Sequence, residues 1–351
     1  MAYQLLEAPL DLNPQQPFDH TYVHTSELIR LNVVAAGVHL LNGILGSFII
    51  RSYDPALPII APLFKYLSGE EGRARFLEST PKTWGNVHIL EPLVVVEWIT
   101  FAFHVVYWAA LIWPQRVDQR IVRRLVNNPS ANPLRWVEYA ITATTMSAFG
   151  AVAIGITDAY YLLKMVSAGV ALQACGYLIE CLDCKEPRDV RIFKTLWWVI
   201  GNVLNLTSIV VLLYQIFASN TGAVRGVFIE NSLPFAFWFN SFGVVCRWDF
   251  YKKGRFVDRY YTERWYIVLS LSTKFAVFWL GLGSFRRIIE INGAAPPLGV
   301  NWDVIRYCAM TLPVVWILGY LWWDAIYVPH KAAPFGRPRG APWAPSRAVR
   351  L

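Results

Sequence analysis

Eight stretches of the chain are each apolar over about the 20 residues that a helix needs to cross a hydrocarbon core. They lie at 28–50, 89–113, 133–156, 159–182, 192–217, 233–251, 263–282 and 303–327. Only helices and closed barrels satisfy every backbone hydrogen bond inside lipid. Runs of this length and number therefore predict an all-α membrane protein. Composition agrees: the 351 residues are 55% hydrophobic and only 16% charged, against roughly 25% charged in soluble domains. The third and fourth stretches are joined by little more than Thr157-Asp158, which forces an antiparallel pair. Disorder, collagen and a disulfide-stapled secreted scaffold are excluded by the same composition.

The net charge of +8 does not point to nucleic acid, because the basic residues form no single stripe. They cluster in alternate loops, as cytoplasmic lysines and arginines do in membrane proteins. With the N-terminus inside, the inner loops carry Arg116, Arg120, Arg123 and Arg124, then Lys185, Arg188, Arg191 and Lys194, then Arg247, Lys252, Lys253, Arg255 and Arg259. The tail adds Lys331, Arg337, Arg339, Arg347 and Arg350. The first outer loop breaks the pattern with five basic residues, but it is long and acidic as well, and such loops cross with little regard to charge. The chain has no Lys or Arg before Arg30, so it lacks the basic start of a signal peptide. The expected layout is a cytoplasmic segment 1–27 and a bundle 28–282 whose long extracellular loop 51–88 folds into a cap. An outer loop 283–302, an eighth span 303–327 and a basic disordered tail 328–351, suited to anionic inner-leaflet lipids, complete it. Both termini are then cytoplasmic. The pair Cys181 and Cys184 has no second pair, so no metal site is expected, and no nucleophilic or phosphate-binding motif points to an enzyme.

A charged side chain deep in a span is costly and marks a site. Lys274 lies near the middle of the seventh span, too deep to snorkel, so it needs a buried partner or conversion to a Schiff base. Ser270 precedes it by one turn on the same face. In the third span Arg135, Glu138, Thr142 and Met146 recur at three- and four-residue steps and share a face. Glu138 can balance Lys274, or it can pair with Arg135 at a helix end facing headgroups.

An Arg-x-x-Glu-Tyr start to the third span, a Met eight residues after the Glu, and Ser-x-x-x-Lys in the seventh resemble the heliorhodopsins, retinal proteins of inverted topology. The resemblance covers the first seven spans. It implies a seven-helix retinal-binding bundle with a cytoplasmic N-terminus, to which this chain adds an eighth helix. All-trans retinal would be covalently held at Lys274 as a protonated Schiff base, with Glu138 as counterion and Ser270 beside the linkage. Thr142 and Met146 would line the polyene, and Phe235, Trp238 and Phe239 would enclose the ring. Asn32, His39 and His104 match positions in a polar cavity, and Glu180 matches a family glutamate at the inner end of the fourth span. A homodimer is implied as well.

Glu97 and the eighth span stand outside that pattern. Glu97 lies seven residues before His104 on a similar face, so Glu97, His104, Glu138 and Glu180 could conduct protons. Outward proton pumps of this kind place an acid eleven residues after the counterion; Phe149 occupies that place, which excludes that plan. The expected function is a non-pumping light sensor with a slow photocycle, read by a cytoplasmic signalling partner. A light-gated proton or cation channel is the alternative.

Overall fold

The computed structural model describes residues 21–53, four strands within 56–88, residues 90–113, 132–182, 188–219, 222–251, 256, 259–291 and 302–332. The segments 1–20 and 333–351, and the inner-loop arginines at 116–124, lie outside the described residues. Eight long helices are described: α1 (Thr21–Tyr53), α2 (Glu91–Ile112), α3 (Pro133–Ala153), α4 (Ala159–Cys181), α5 (Arg188–Ser219), α6 (Gly222–Phe250), α7 (Arg259–Ile291) and α8 (Trp302–Ala332). Each overlaps one of the eight expected stretches, but α6 starts 11 residues earlier than expected, α7 continues to Ile291 into the expected outer loop, and α8 continues to Ala332 into the expected tail, because polar residues at span ends extend a helix without adding to its apolar run. Five are long and apolar enough to cross a membrane by themselves: α1, α2, α4, α5 and α7. In α8 the apolar part is shorter, Tyr307–Trp322. The other two, α3 and α6, have charged side chains within their length, among them Arg135 and Glu138 in α3 and Arg225, Glu230 and Arg247 in α6.

Neighbouring helices pack in chain order from α1 to α7, and α7 returns against α1, so seven helices close a ring. The eighth packs on α7 from outside that ring. There the Tyr320 ring meets Trp265 edge-on, with centroids 5.4 Å apart, and Ala309 is buried. Within the described spans α7 is 78% buried and α5 only 6%, so α7, flanked by α6 and α1 and covered by α8, is the most enclosed of them and α5 the least.

Local chemistry sets the helix ends. Asn132 accepts from the Arg135 backbone N–H at 3.3 Å and Pro133 follows it, which starts α3. The short α3–α4 link turns on Gly155 at φ +92°, a conformation that disfavours any side chain. Asp158 then caps α4 by accepting from the Tyr161 N–H at 2.7 Å.

The segment expected to form a cap contains a nested antiparallel ribbon. β1 (Ala56–Ala61) pairs with β4 (Lys82–His88), and β2 (Phe64–Tyr66) pairs with β3 (Leu77–Ser79). Because β1 follows α1 and β4 precedes α2, this ribbon marks one end of the bundle, and β1 lies near α4. The interior of that half is apolar: Leu93, Val94, Phe149, Val152, Phe278 and Leu282 belong to one buried cluster.

Candidate functional site

At mid-bundle α7 presents Lys274, 3% exposed, to α3, where Glu138 is 2% exposed. The Lys274 Nζ donates to Glu138 Oε1. The ammonium also lies 5.5 Å from the centre of the Tyr139 ring, within reach of its π face. Thr142 stands one turn beyond Glu138 and donates to the Glu138 carbonyl at 2.9 Å, so its hydroxyl is satisfied by its own helix. Ser270 is buried one turn before Lys274.

Two cavities meet this region. The first, of about 110 Å³, has Lys274 in its wall and is otherwise lined largely by apolar and aromatic groups, including Trp136, Met146, Phe239 and Phe242, with Thr142 and Ser270 among the few hydroxyls. Phe239 stacks on Phe235 with ring centroids 4.2 Å apart. Phe235 itself, with Trp238, lines the neighbouring cavity of about 100 Å³ toward the strand-bearing end. Of the three aromatics expected around a ring, one therefore faces the lysine cavity and two face its neighbour.

The second, smaller space is polar. About 40 Å³ lies between Asn32, His104, Tyr107, Arg135, Glu138 and Glu263. Arg135 does not pair with Glu138. It donates to Glu180, forms an ion pair with Glu263 at 2.6 Å, and its guanidinium lies 4.0 Å from the centre of the Tyr266 ring. Asn132 ties the two acids together, donating its backbone N–H to Glu180 at 3.0 Å and its amide to Glu263 at 3.3 Å. Glu180 is thus a buried partner and not a solvated helix end.

Further toward the strands, His39 Nδ1 and Glu97 Oε2 are 2.6 Å apart, with both side chains almost fully enclosed. His104 Nδ1 lies 2.7 Å from Asn32 Oδ1, and the two imidazoles stack in parallel at 5.6 Å. Sequence reasoning missed Glu263, Asn42 and Trp279. Glu263 reads as an interfacial acid at a span end. Asn42, three residues after His39 on the same face, was the available signal for a larger polar cluster.

A multi-pass membrane bundle whose central helix buries a lysine against a carboxylate, beside an apolar cavity, is the architecture of a retinal-binding rhodopsin. The heliorhodopsin family model matches residues 28–285, well over half of the chain, and the chain belongs to that family. Membership implies a retinal chromophore and a light-sensing membrane role. No curated protein matches the chain significantly. The match ends before α8, which is this chain's addition to the seven-helix ring.

Proposed function

We propose that the chain is a non-pumping light sensor that carries all-trans retinal as a Schiff base on Lys274, with Glu138 as its counterion. One observation carries the reading: the only described lysine at mid-bundle is buried, paired to a carboxylate, and set in the wall of an apolar cavity. The residues present fit the group. A primary amine supplies the attachment atom, Glu138 balances a cation on it, and Met146 and Phe239 offer apolar contact to a polyene. Bound there, retinal supplies photoisomerisation. The chain's own residues do the rest: Tyr139 and Glu138 hold the positive charge, Ser270 flanks Nζ, and the aromatic wall keeps water from the linkage.

The N-terminus and, after eight spans, the C-terminus are assigned to the cytoplasm from the loop charges, which places the strand ribbon outside. The basic residues of the inner loops and tail are what a cytoplasmic signalling partner would read, and the assembly is a homodimer.

The polar groups from Glu180 to Glu97 also suggest a second reading, a light-gated proton or cation channel. The cluster of Leu93, Val94, Phe149, Phe278 and Leu282 between Glu97 and the strand-bearing end favours the sensor, because it offers an ion no polar contact at that depth. Two measurements test these readings. Purified protein should turn coloured with all-trans retinal, Lys274→Ala should stay colourless, and Glu138→Gln should shift the band. A folded wild type that stays colourless overturns the pigment. Photocurrents that reverse with the proton gradient overturn the sensor in favour of the channel.

A further inference from the structure

Glu97 takes no part in the Lys274–Glu138 pair, yet it is 1% exposed at the centre of a hydrogen-bonded chain that starts on Lys274's own helix. Trp279, five residues after Lys274, donates its indole N–H to Asn42 Oδ1 at 3.2 Å. Asn42 donates its amide N–H to Glu97 Oε2 at 3.3 Å. The same oxygen meets His39 Nδ1 at 2.6 Å. The chain thus runs from α7 to α1, to α2, and back to α1.

A contact of 2.6 Å between an imidazole nitrogen and a carboxyl oxygen carries one proton, on either atom. The surroundings decide which. Arg135 pairs with Glu180 and Glu263, and Lys274 with Glu138, so the group in contact with Glu97 that can balance a carboxylate charge there is His39. His104 has only the Asn32 carbonyl oxygen opposite it, and Asn32 is oriented by donating its own amide to Leu28 O at 2.8 Å. His39 has a carboxylate opposite it, so it is the histidine that can hold the charge. Asn42, by donating to Oε2, supports the ionised carboxylate.

We propose that His39 and Glu97 are a second, light-responsive proton site, and that Trp279 and Asn42 set where its proton sits. In the dark the pair is imidazolium and carboxylate. Movement of Lys274's helix on illumination withdraws Trp279 from Asn42 and Asn42 from Glu97 Oε2. The proton then crosses from His39 Nδ1 to Glu97 Oε2: one N–H bond breaks, one O–H bond forms, and two opposite charges cancel in the apolar interior. No proton enters or leaves, and the apolar layer beyond Glu97 closes that side. Asn42 and Trp279 act here as positioning residues. The light-driven half of the proposal rests on the retinal reading of Lys274; the dark state of the pair does not.

The test has two arms. In full-length protein without retinal, ¹⁵N spectra of the His39 ring should show imidazolium in the wild type and a neutral ring in Glu97→Gln and Asn42→Val. A neutral His39 in the wild type overturns the site. In retinal-loaded protein, the light-minus-dark infrared spectrum should gain a protonated-carboxyl C=O band that is lost in both Glu97→Gln and Trp279→Phe. Trp279→Phe keeps the ring but not the N–H, so it also serves if Asn42→Val does not fold. A band that survives Glu97→Gln, or that persists unchanged in Trp279→Phe, overturns the coupling. A wild type that never colours overturns the pigment reading and the coupling with it, while the ¹⁵N arm still decides the site.

Discussion

Removing one partner of the Lys274–Glu138 pair should cost more stability than removing both. Both side chains are 2–3% exposed, so the discount that solvent applies to surface pairs does not operate. Truncating one member of such a pair strands the other as an uncompensated charge, at about 3–5 kcal/mol. Lys274→Met also gives up the contact with the Tyr139 ring, which lies 5.5 Å from Nζ. Glu138→Gln leaves the ammonium with only that ring and an amide. The double variant Lys274→Met/Glu138→Gln buries no charge at this point, and replacing a buried pair by neutral groups is often close to neutral. The cycle should therefore show a coupling of about 2–4 kcal/mol, with each single variant lowering Tm by roughly 5–10 °C and the double variant recovering most of it. Thermal unfolding of the retinal-free protein in micelles, followed by tryptophan fluorescence, reads this without any chromophore. Two single variants each within about 1 kcal/mol of wild type, and additive, would refute the reasoning, because that is how solvent-screened pairs behave.

Other consequences follow from the packing. A Cβ on Gly176 would lie 2.2 Å from the Trp136 ring, so Gly176→Ala should cost roughly 1–3 kcal/mol in thermal unfolding and, since Trp136 lines the lysine cavity, lower the yield of pigment. In Glu180→Gln the arginine keeps Glu263 at 2.6 Å, whereas Arg135→Met takes the shared cation from two buried acids at once; urea unfolding should show the arginine variant as the less stable by about 2 kcal/mol or more. A chain ending at residue 301 lacks α8 but keeps the closed ring of seven, so its absorption band should match the full-length protein while its Tm falls, as Trp265 loses Tyr320.

The helices were legible because crossing a membrane imposes a local, length-dependent demand that hydropathy records directly. Their ends needed finer signals, and Asn132-Pro133 and Asp158 supplied them at α3 and α4. The pairing of Lys274 with Glu138 was legible for a related reason: charge in the middle of an apolar run has few explanations. The strands were not. Segments such as Ala56–Ala61 and Phe64–Tyr66 are too short for periodicity, and their pairing partners lie 10 or more residues away. The partners of Arg135 were equally hidden. Arg135 and Glu138 share a helix face three residues apart, yet the arginine reaches Glu180 and Glu263 while the glutamate takes the lysine, a division set by how α3, α4 and α7 cross. Trp279 is one of 16 tryptophans in the chain and carries no mark of its role.

The division of the interior into a polar and an apolar half links the site to what it can do. From Asn132 to Glu97, successive layers each contain an ionisable group with a partner: Arg135 with Glu180 and Glu263, Lys274 with Glu138, and His39 with Glu97. Beyond Glu97 comes the apolar cluster of Leu93, Val94, Phe149, Phe278 and Leu282, and Phe149 stands where an outward pump of this kind carries an acid. Each ion pair is cheap only while it stays paired, since a stranded charge in this medium costs several kcal/mol. A disturbance at Lys274 therefore relaxes by moving protons or partners within the polar half, and the apolar half offers no lower-energy exit. With retinal on Lys274 as proposed, energy absorbed there would go into rearranged pairs and shifted helices, which is what a sensor has to deliver to the surfaces at its ends.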